Sequence, residues 1–207
     1  KYFNDKLIIK KLLRLIIFIN ITPALFVIIT SSYMAYHNLS TNTSYNNQLI
    51  AINLANDVDN FLIEKEHVLS FTASLPEIKS MNPDKQTPIL QDLVKKYKND
   101  FTTVFITNTS GQQISRDAGE FFNVSDRQYY KDIIRGQSFS ISDILISKLT
   151  NQPIAIISIP IMRDDVIIGT ISAVLKLSKI DELVNYNYDM KHSQTCIFVA
   201  DNNGNVI

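Results

Sequence analysis

Twenty-two consecutive residues, Leu15–Tyr36 (LIIFINITPALFVIITSSYMAY), carry no charge. As a helix rising ~1.5 Å per residue they extend about 33 Å, enough to cross a hydrocarbon core of ~30 Å. Asn20, Thr22 and Pro23 dilute the apolar character, yet a spanning helix tolerates such residues. A cleaved signal peptide would have a shorter apolar core followed by a small-x-small cleavage site, and none is clear here. The run therefore predicts an uncleaved transmembrane helix. Lys1, Lys6, Lys10, Lys11 and Arg14 precede it, whereas Lys65 is the first lysine or arginine after it. The positive-inside bias then puts residues 1–14 in the cytoplasm and everything after residue 36 outside. Tyr33 and Tyr36 stand where interfacial aromatics anchor the outer end.

The second constraint is a repeat. Thr102–Ile114 reads TTVFITNTSGQQI and Thr195–Ile207 reads TCIFVADNNGNVI. Each is a β-branched run, a turn at Gly111 or Gly204 and a return to apolar residues, the form of a hairpin. A hairpin recurring at this distance predicts a duplicated module, with the second copy begun but cut short.

Between membrane and repeat, 37–47 is polar, either a solvated stretch or the first turns of a helix. From Leu49 the apolar positions Ile52, Leu54, Val58, Phe61, Leu62, Val68 and Leu69 advance mostly in steps of three and four, one stripe of a helix closed by Pro76. Asn82–Pro88 reads as a break before a second short helix at Ile89–Tyr97. After the first hairpin come a loop, a short helix at Tyr129–Ile134, and β-rich runs Pro153–Met162 and Val166–Leu177 joined by Arg163–Asp165. Ile180–Tyr188 looks helical again. This order predicts an α+β module, an antiparallel sheet with helices on one face, of PAS type. The expected organisation is a cytoplasmic N-terminus (1–14), a transmembrane helix (15–36), a long extracytoplasmic helix (37–80), a membrane-distal module (81–180) and the start of a membrane-proximal one (181–207).

Function classes narrow by elimination. With 20 basic and 20 acidic residues the net charge is zero, which gives no electrostatic footprint for nucleic acid. Cys196 is the only cysteine, and His37, His67 and His192 are scattered, so no metal site is expected. The chain has five glycines and lacks G-x-S-x-G, H-E-x-x-H and a phosphate-binding loop; no catalytic residue or cofactor is expected. Asp164–Asp165 falls in a turn, where solvation is the plainer reading than metal binding.

One stretch carries a family likeness. Val124–Lys131 (VSDRQYYK) resembles the Cache signature Ser-Asp-Arg-x-Tyr/Trp-Tyr/Phe, which opens the pocket helix of double Cache (dCache) sensor domains. Ile141–Pro153 is similar to the family loop leading into the next strand, and Ile157–Pro160 and Ile168–Ile171 resemble its closing hairpin. The resemblance implies an extracytoplasmic sensor of a bacterial transmembrane receptor, most like those of methyl-accepting chemotaxis proteins, in the cell membrane and as a homodimer. A histidine kinase or diguanylate cyclase effector stays open, as does an anchored adhesion or assembly protein without signalling. A transducer is expected to continue with the rest of the second module and another apolar run of ~20 residues.

The resemblance also implies site residues. Arg127 can grip a carboxylate with two charge-assisted hydrogen bonds in a fork that lysine cannot match. Tyr129 and Tyr130 offer ring faces and hydroxyls; the plainer reading makes Asp126–Arg127 a surface pair and the tyrosines core. Phe105 is a candidate wall, although Phe198 fills the same repeat slot, which suits a core role equally. Ser115, Arg116 and Asp117 are placed to rim the cavity. Amino-acid sensors of the family carry an aromatic and an acid in the loop and another acid near the closing strand. Those slots here are Leu145, Ser147 and Val174, which leaves no carboxylate there for an α-ammonium; Asp143 substitutes only if the loop register shifts. The expected ligand is a small uncharged or carboxylate-bearing molecule rather than a free amino acid.

Overall fold

The computed structural model describes residues 2–148, 150–186, Ala200 and Gly204. The expected second hairpin, Thr195–Ile207, lies outside the described residues except for Ala200 and Gly204. Two units are present, 1–52 and 53–207.

From Tyr2 onward the first unit is helical and belongs to α1 (Tyr2–Ser74). Every side chain from Leu15 to Tyr36 is exposed, the reverse of a buried core helix, and the segment is long and apolar enough to cross a membrane. Three of its polar side chains turn back on their own helix: Asn20 Nδ2 donates to Ile16 O (2.7 Å), Thr30 Oγ1 to Phe26 O (2.9 Å) and Thr22 Oγ1 to Phe18 O. Self-satisfaction of this kind is what an apolar solvent demands. The polar stretch 37–47 is helical as well.

The second unit opens with the end of α1, followed by α2 (Pro76–Lys79) and α3 (Pro83–Lys96). Asn82 caps α3 by accepting from Asp84 N (3.0 Å), and Pro83 occupies the first turn, where its missing N–H costs nothing. The expected break over Asn82–Pro88 is therefore corrected: it shrinks to Asn82, and Pro88 sits inside the helix. Strands β1 (Phe101–Asn108), β2 (Gln113–Arg116), β3 (Ser140–Ile141), β4 (Leu145–Ile146), β5 (Pro153–Arg163) and β6 (Val166–Leu175) form the sheet, with α4 (Gln128–Ile134) between β2 and β3 and α5 (Leu177–Tyr186) last. The order is β2-β1-β6-β5-β3, all pairs antiparallel, with β4 on β5. Asp164 (φ 49°) and Asp165 (φ 61°) make the two-residue β5–β6 turn, whose paired positive φ values match the strand twist.

Period-two alternation gives the sheet two apolar faces. On one, Val104, Ile106, Ile157, Ile159, Ile171 and Ala173 pack with Leu69, Ile78 and Leu90 from the helices. Each fully buried aliphatic side chain contributes about 1.5–3 kcal/mol. Lys65 reaches into this layer, bonded to Asp100 (2.7 Å) and Glu64 (2.8 Å), with its ammonium 5.0 Å from the Tyr97 ring centroid. Burial by itself lowers the Lys65 pKa; the hydrogen bonds to Asp100 and Glu64 outweigh it, and the net shift is upward. The other face presents Phe105, Ile156 and Val174 to α4 and the loops.

Candidate functional site

On that second face the sheet and the loops enclose a cavity of about 320 Å³, within the range of small-molecule sites. Its floor follows from register. Phe105 pairs with Ser172 and Arg116, and Ile156 with Val174, so alternate residues of β1, β2, β5 and β6 point the same way. Phe122, Val124 and Tyr129 enclose it further, and Leu145–Lys148 form another wall.

Arg127 is delivered by a chain of local bonds. The Gly111 turn accepts Val124 N at its carbonyl (2.8 Å), Asn123 Oδ1 accepts Ser125 N (2.9 Å), and Arg127 N donates to Val124 O (2.9 Å). Arg127 then takes the N-cap position of α4. Its side chain is 23% exposed and lines the cavity, with Nη2 donating to Ile146 O (3.3 Å) and Nε 3.8 Å from Asp126 Oδ2. Lys148 closes the same wall: Nζ donates to Asn123 O (2.9 Å) and Asp126 Oδ1 (2.8 Å). That ammonium holds the Asp126 carboxyl below its usual range.

Tyr129 lines the cavity and is only 2% exposed. Burial pushes its phenol well above the ordinary tyrosine value, against the pull of Arg127 and Arg116. The expected residues thus divide. Arg127, Tyr129, Phe105 and Ser147 meet in one cavity, together with Leu145 and Val174, so all three slots that depart from the amino-acid pattern line it. Tyr130 is not among the lining residues; it is buried in the layer beneath, its hydroxyl donating to Asn108 O (3.4 Å). Asp143 is not among them either and is exposed between β3 and β4. Ser115 faces away, hydrogen-bonded to the Thr87 hydroxyl of α3 (3.1 Å), whereas Arg116 and Asp117 do line the cavity.

Sequence reasoning gave Lys148 no role. Twenty-two positions separate it from Asp126, and only the fold of the intervening loop joins them. Asp117 is the acid among the lining residues. Its Oδ1 accepts from Val104 N (3.0 Å) and the Thr103 hydroxyl.

The Cache domain model of the dCache_1 family matches residues 36–207, most of the chain. The chain belongs to the Cache family. No curated protein matches this Cache chain significantly in sequence. Among solved structures, the sensory domain of the Campylobacter jejuni chemoreceptor Tlp3, with isoleucine bound, superposes with TM-score 0.56 at 14% identity, covering 66% of this chain and 60% of that one. The extracellular domain of rpHK1S-Z16, assigned as a histidine kinase, gives 0.58 at 17% identity, covering 67% and 58%. A domain from Vibrio parahaemolyticus, assigned to the sensory box/GGDEF family, gives 0.58 at 15% identity, covering 70% and 64%. The chain thus spans about three-fifths of the length of these structures, and at such identities the likeness is one of Cache fold.

Proposed function

We propose that this chain is the sensor portion of a bacterial transmembrane receptor of the chemoreceptor type. It takes a small carboxylate-bearing molecule into the cavity outside the membrane and passes a conformational signal inward through α1. The observation that carries this reading is a half-buried guanidinium, Arg127, lining an otherwise largely apolar cavity on a Cache sheet. Such a group has charge to match with an anion and geometry to grip it by two bonds. Chemoreceptor domains among the structural neighbours were solved with isoleucine and with L-serine, both carboxylate-bearing. Their ammonium groups are harder to place here, because Leu145, Ser147 and Val174 all line the cavity and none is acidic.

A second reading keeps the sensor and changes its output to a histidine kinase or a diguanylate cyclase, favoured by the rpHK1S-Z16 and Vibrio parahaemolyticus neighbours. In either case the ligand shifts a pre-existing equilibrium of α1, which pairs with the same helix of a second subunit.

A thermal-shift screen of the membrane-inserted protein tests the ligand class. A ligand at a hundred times its Kd adds about 2.7 kcal/mol of stability. Small carboxylates are expected to raise Tm; a rise with amino acids or sugars alone would count against the reading.

A further inference from the structure

The cavity holds a second guanidinium in very different surroundings. Arg116 ends β2 directly opposite Phe105 in the ladder, so both side chains leave the same face, with the guanidinium 5.9 Å from the ring centroid. It lines the cavity yet is only 8% exposed. Nε donates to Ala118 O (2.6 Å), and Nη1 to Gln113 Oε1 and Glu120 O (3.3 Å each). All three acceptors are neutral. Among the described residues Nη2 has no acceptor, although it is not sealed from the cavity or solvent. Removing a guanidinium from water without a bonded carboxylate is costly unless an anion completes the site. The adjacent Asp117 charge offsets part of that cost, but burial outweighs it, and Asp117 Oδ1 is bonded to Thr103 and Val104 rather than to the guanidinium.

Arg127 enters from a different element, the N-cap of α4, and both guanidiniums act electrostatically on the Tyr129 phenol. The lining carries Arg116, Arg127 and Lys148 against Asp117, with Asp126, outside the lining, bonded to Lys148 (2.8 Å) and 3.8 Å from Arg127. We propose that the cavity takes a small dicarboxylate, one carboxylate on the Nη2 edge of Arg116 and the other on Arg127, with the Phe105 and Tyr129 rings flanking the carbons between. This rests on the cavity being a carboxylate site, as argued above. A monocarboxylate leaves one guanidinium unmatched. An α-amino acid sets an ammonium beside two guanidiniums, with Asp117 the acid in the lining and Asp126 already bonded to Lys148.

Calorimetric titration of the protein in lipid nanodiscs with succinate and with butyrate separates the possibilities. Succinate should bind at least about tenfold tighter than butyrate, the worth of one charge-assisted contact. Arg116→Lys keeps the charge, but its three N–H donors cannot serve Ala118 O, Gln113 Oε1 and Glu120 O and still leave one for the ligand; it should erase that preference while butyrate binding through Arg127 persists. Persistence of butyrate binding also shows that the variant has folded. Equal binding of the two acids, or an unchanged preference in Arg116→Lys, overturns the dicarboxylate inference and leaves the carboxylate reading standing. If neither acid binds at 10 mM (a Kd weaker than about 10 mM is worth under ~3 kcal/mol), both fall.

Discussion

Tyr129 loses, on ionising, the water that would stabilise its phenolate, because the folded protein leaves it almost no exposure. Its folded pKa is raised above the unfolded value of about 10. Stability from this residue is therefore complete below about pH 10 and is lost as pH climbs from there toward the folded value. Spectrophotometric titration should find Tyr129 absent from the phenolate signal at pH 10.5 in the native protein and present in a Tyr129→Phe difference after denaturation. A Tyr129 phenolate already formed at pH 10.5 in the native state would mean a wet ring. At this scale the sequence was legible where chemistry is local: Arg127 and Tyr129 lie in one short signature beside each other. Arg116 was placed only at the rim, because its burial depends on the β1–β2 register and on the 117–122 loop folding back over it. Tyr130 shows the opposite limit, since one helical step turns it from the cavity into the layer beneath.

At the scale of elements, the Gly111 turn of the first hairpin supports the loop that carries Arg127. Gly111 has φ 79°, and a Cβ built there would lie 2.7 Å from Ser125 N. Gly111→Ala therefore meets both a left-handed backbone and a backbone clash. It should cost about 1–3 kcal/mol, read by urea denaturation, and weaken ligand binding by displacing Val124–Arg127. Wild-type stability in this variant would detach the turn from the site. The turn was legible from glycine spacing, and the β5–β6 hairpin from its Asp-Asp corner. β3 and β4 were not, because two-residue strands have no periodicity to detect. Pro88 misled for a physical reason: a proline usually breaks a helix, but α3 already has its cap at Asn82 and continues through it.

For the whole molecule, the proposal is an apolar helix in the membrane and a carboxylate-binding cavity outside it. The basic residues before Leu15 and the uncharged run after them are what predict that arrangement, since lipid selects on composition rather than on tertiary contacts. Topology is open to a direct check. With Cys196 replaced by Ser, a cysteine at exposed Ser110 should react with a membrane-impermeant maleimide in intact cells. One at Asn4 should react only after lysis. The reverse pattern would invert the orientation and strand the cavity in the cytoplasm.

The central claim is that Arg127 holds a carboxylate ligand. Among the described residues, Arg127 makes one side-chain hydrogen bond, to Ile146 O, beside its partly exposed pair with Asp126. Its removal should cost the fold about 1 kcal/mol or less, whereas losing a two-bond grip on an anion costs about 2–4 kcal/mol. Isothermal titration of wild type and Arg127→Ala with small carboxylates measures both proteins side by side. The wild type should bind saturably and the variant should lose about thirtyfold or more in affinity, at nearly unchanged Tm. Unaltered carboxylate affinity in Arg127→Ala, or amino acids binding where simple carboxylates do not, would contradict it.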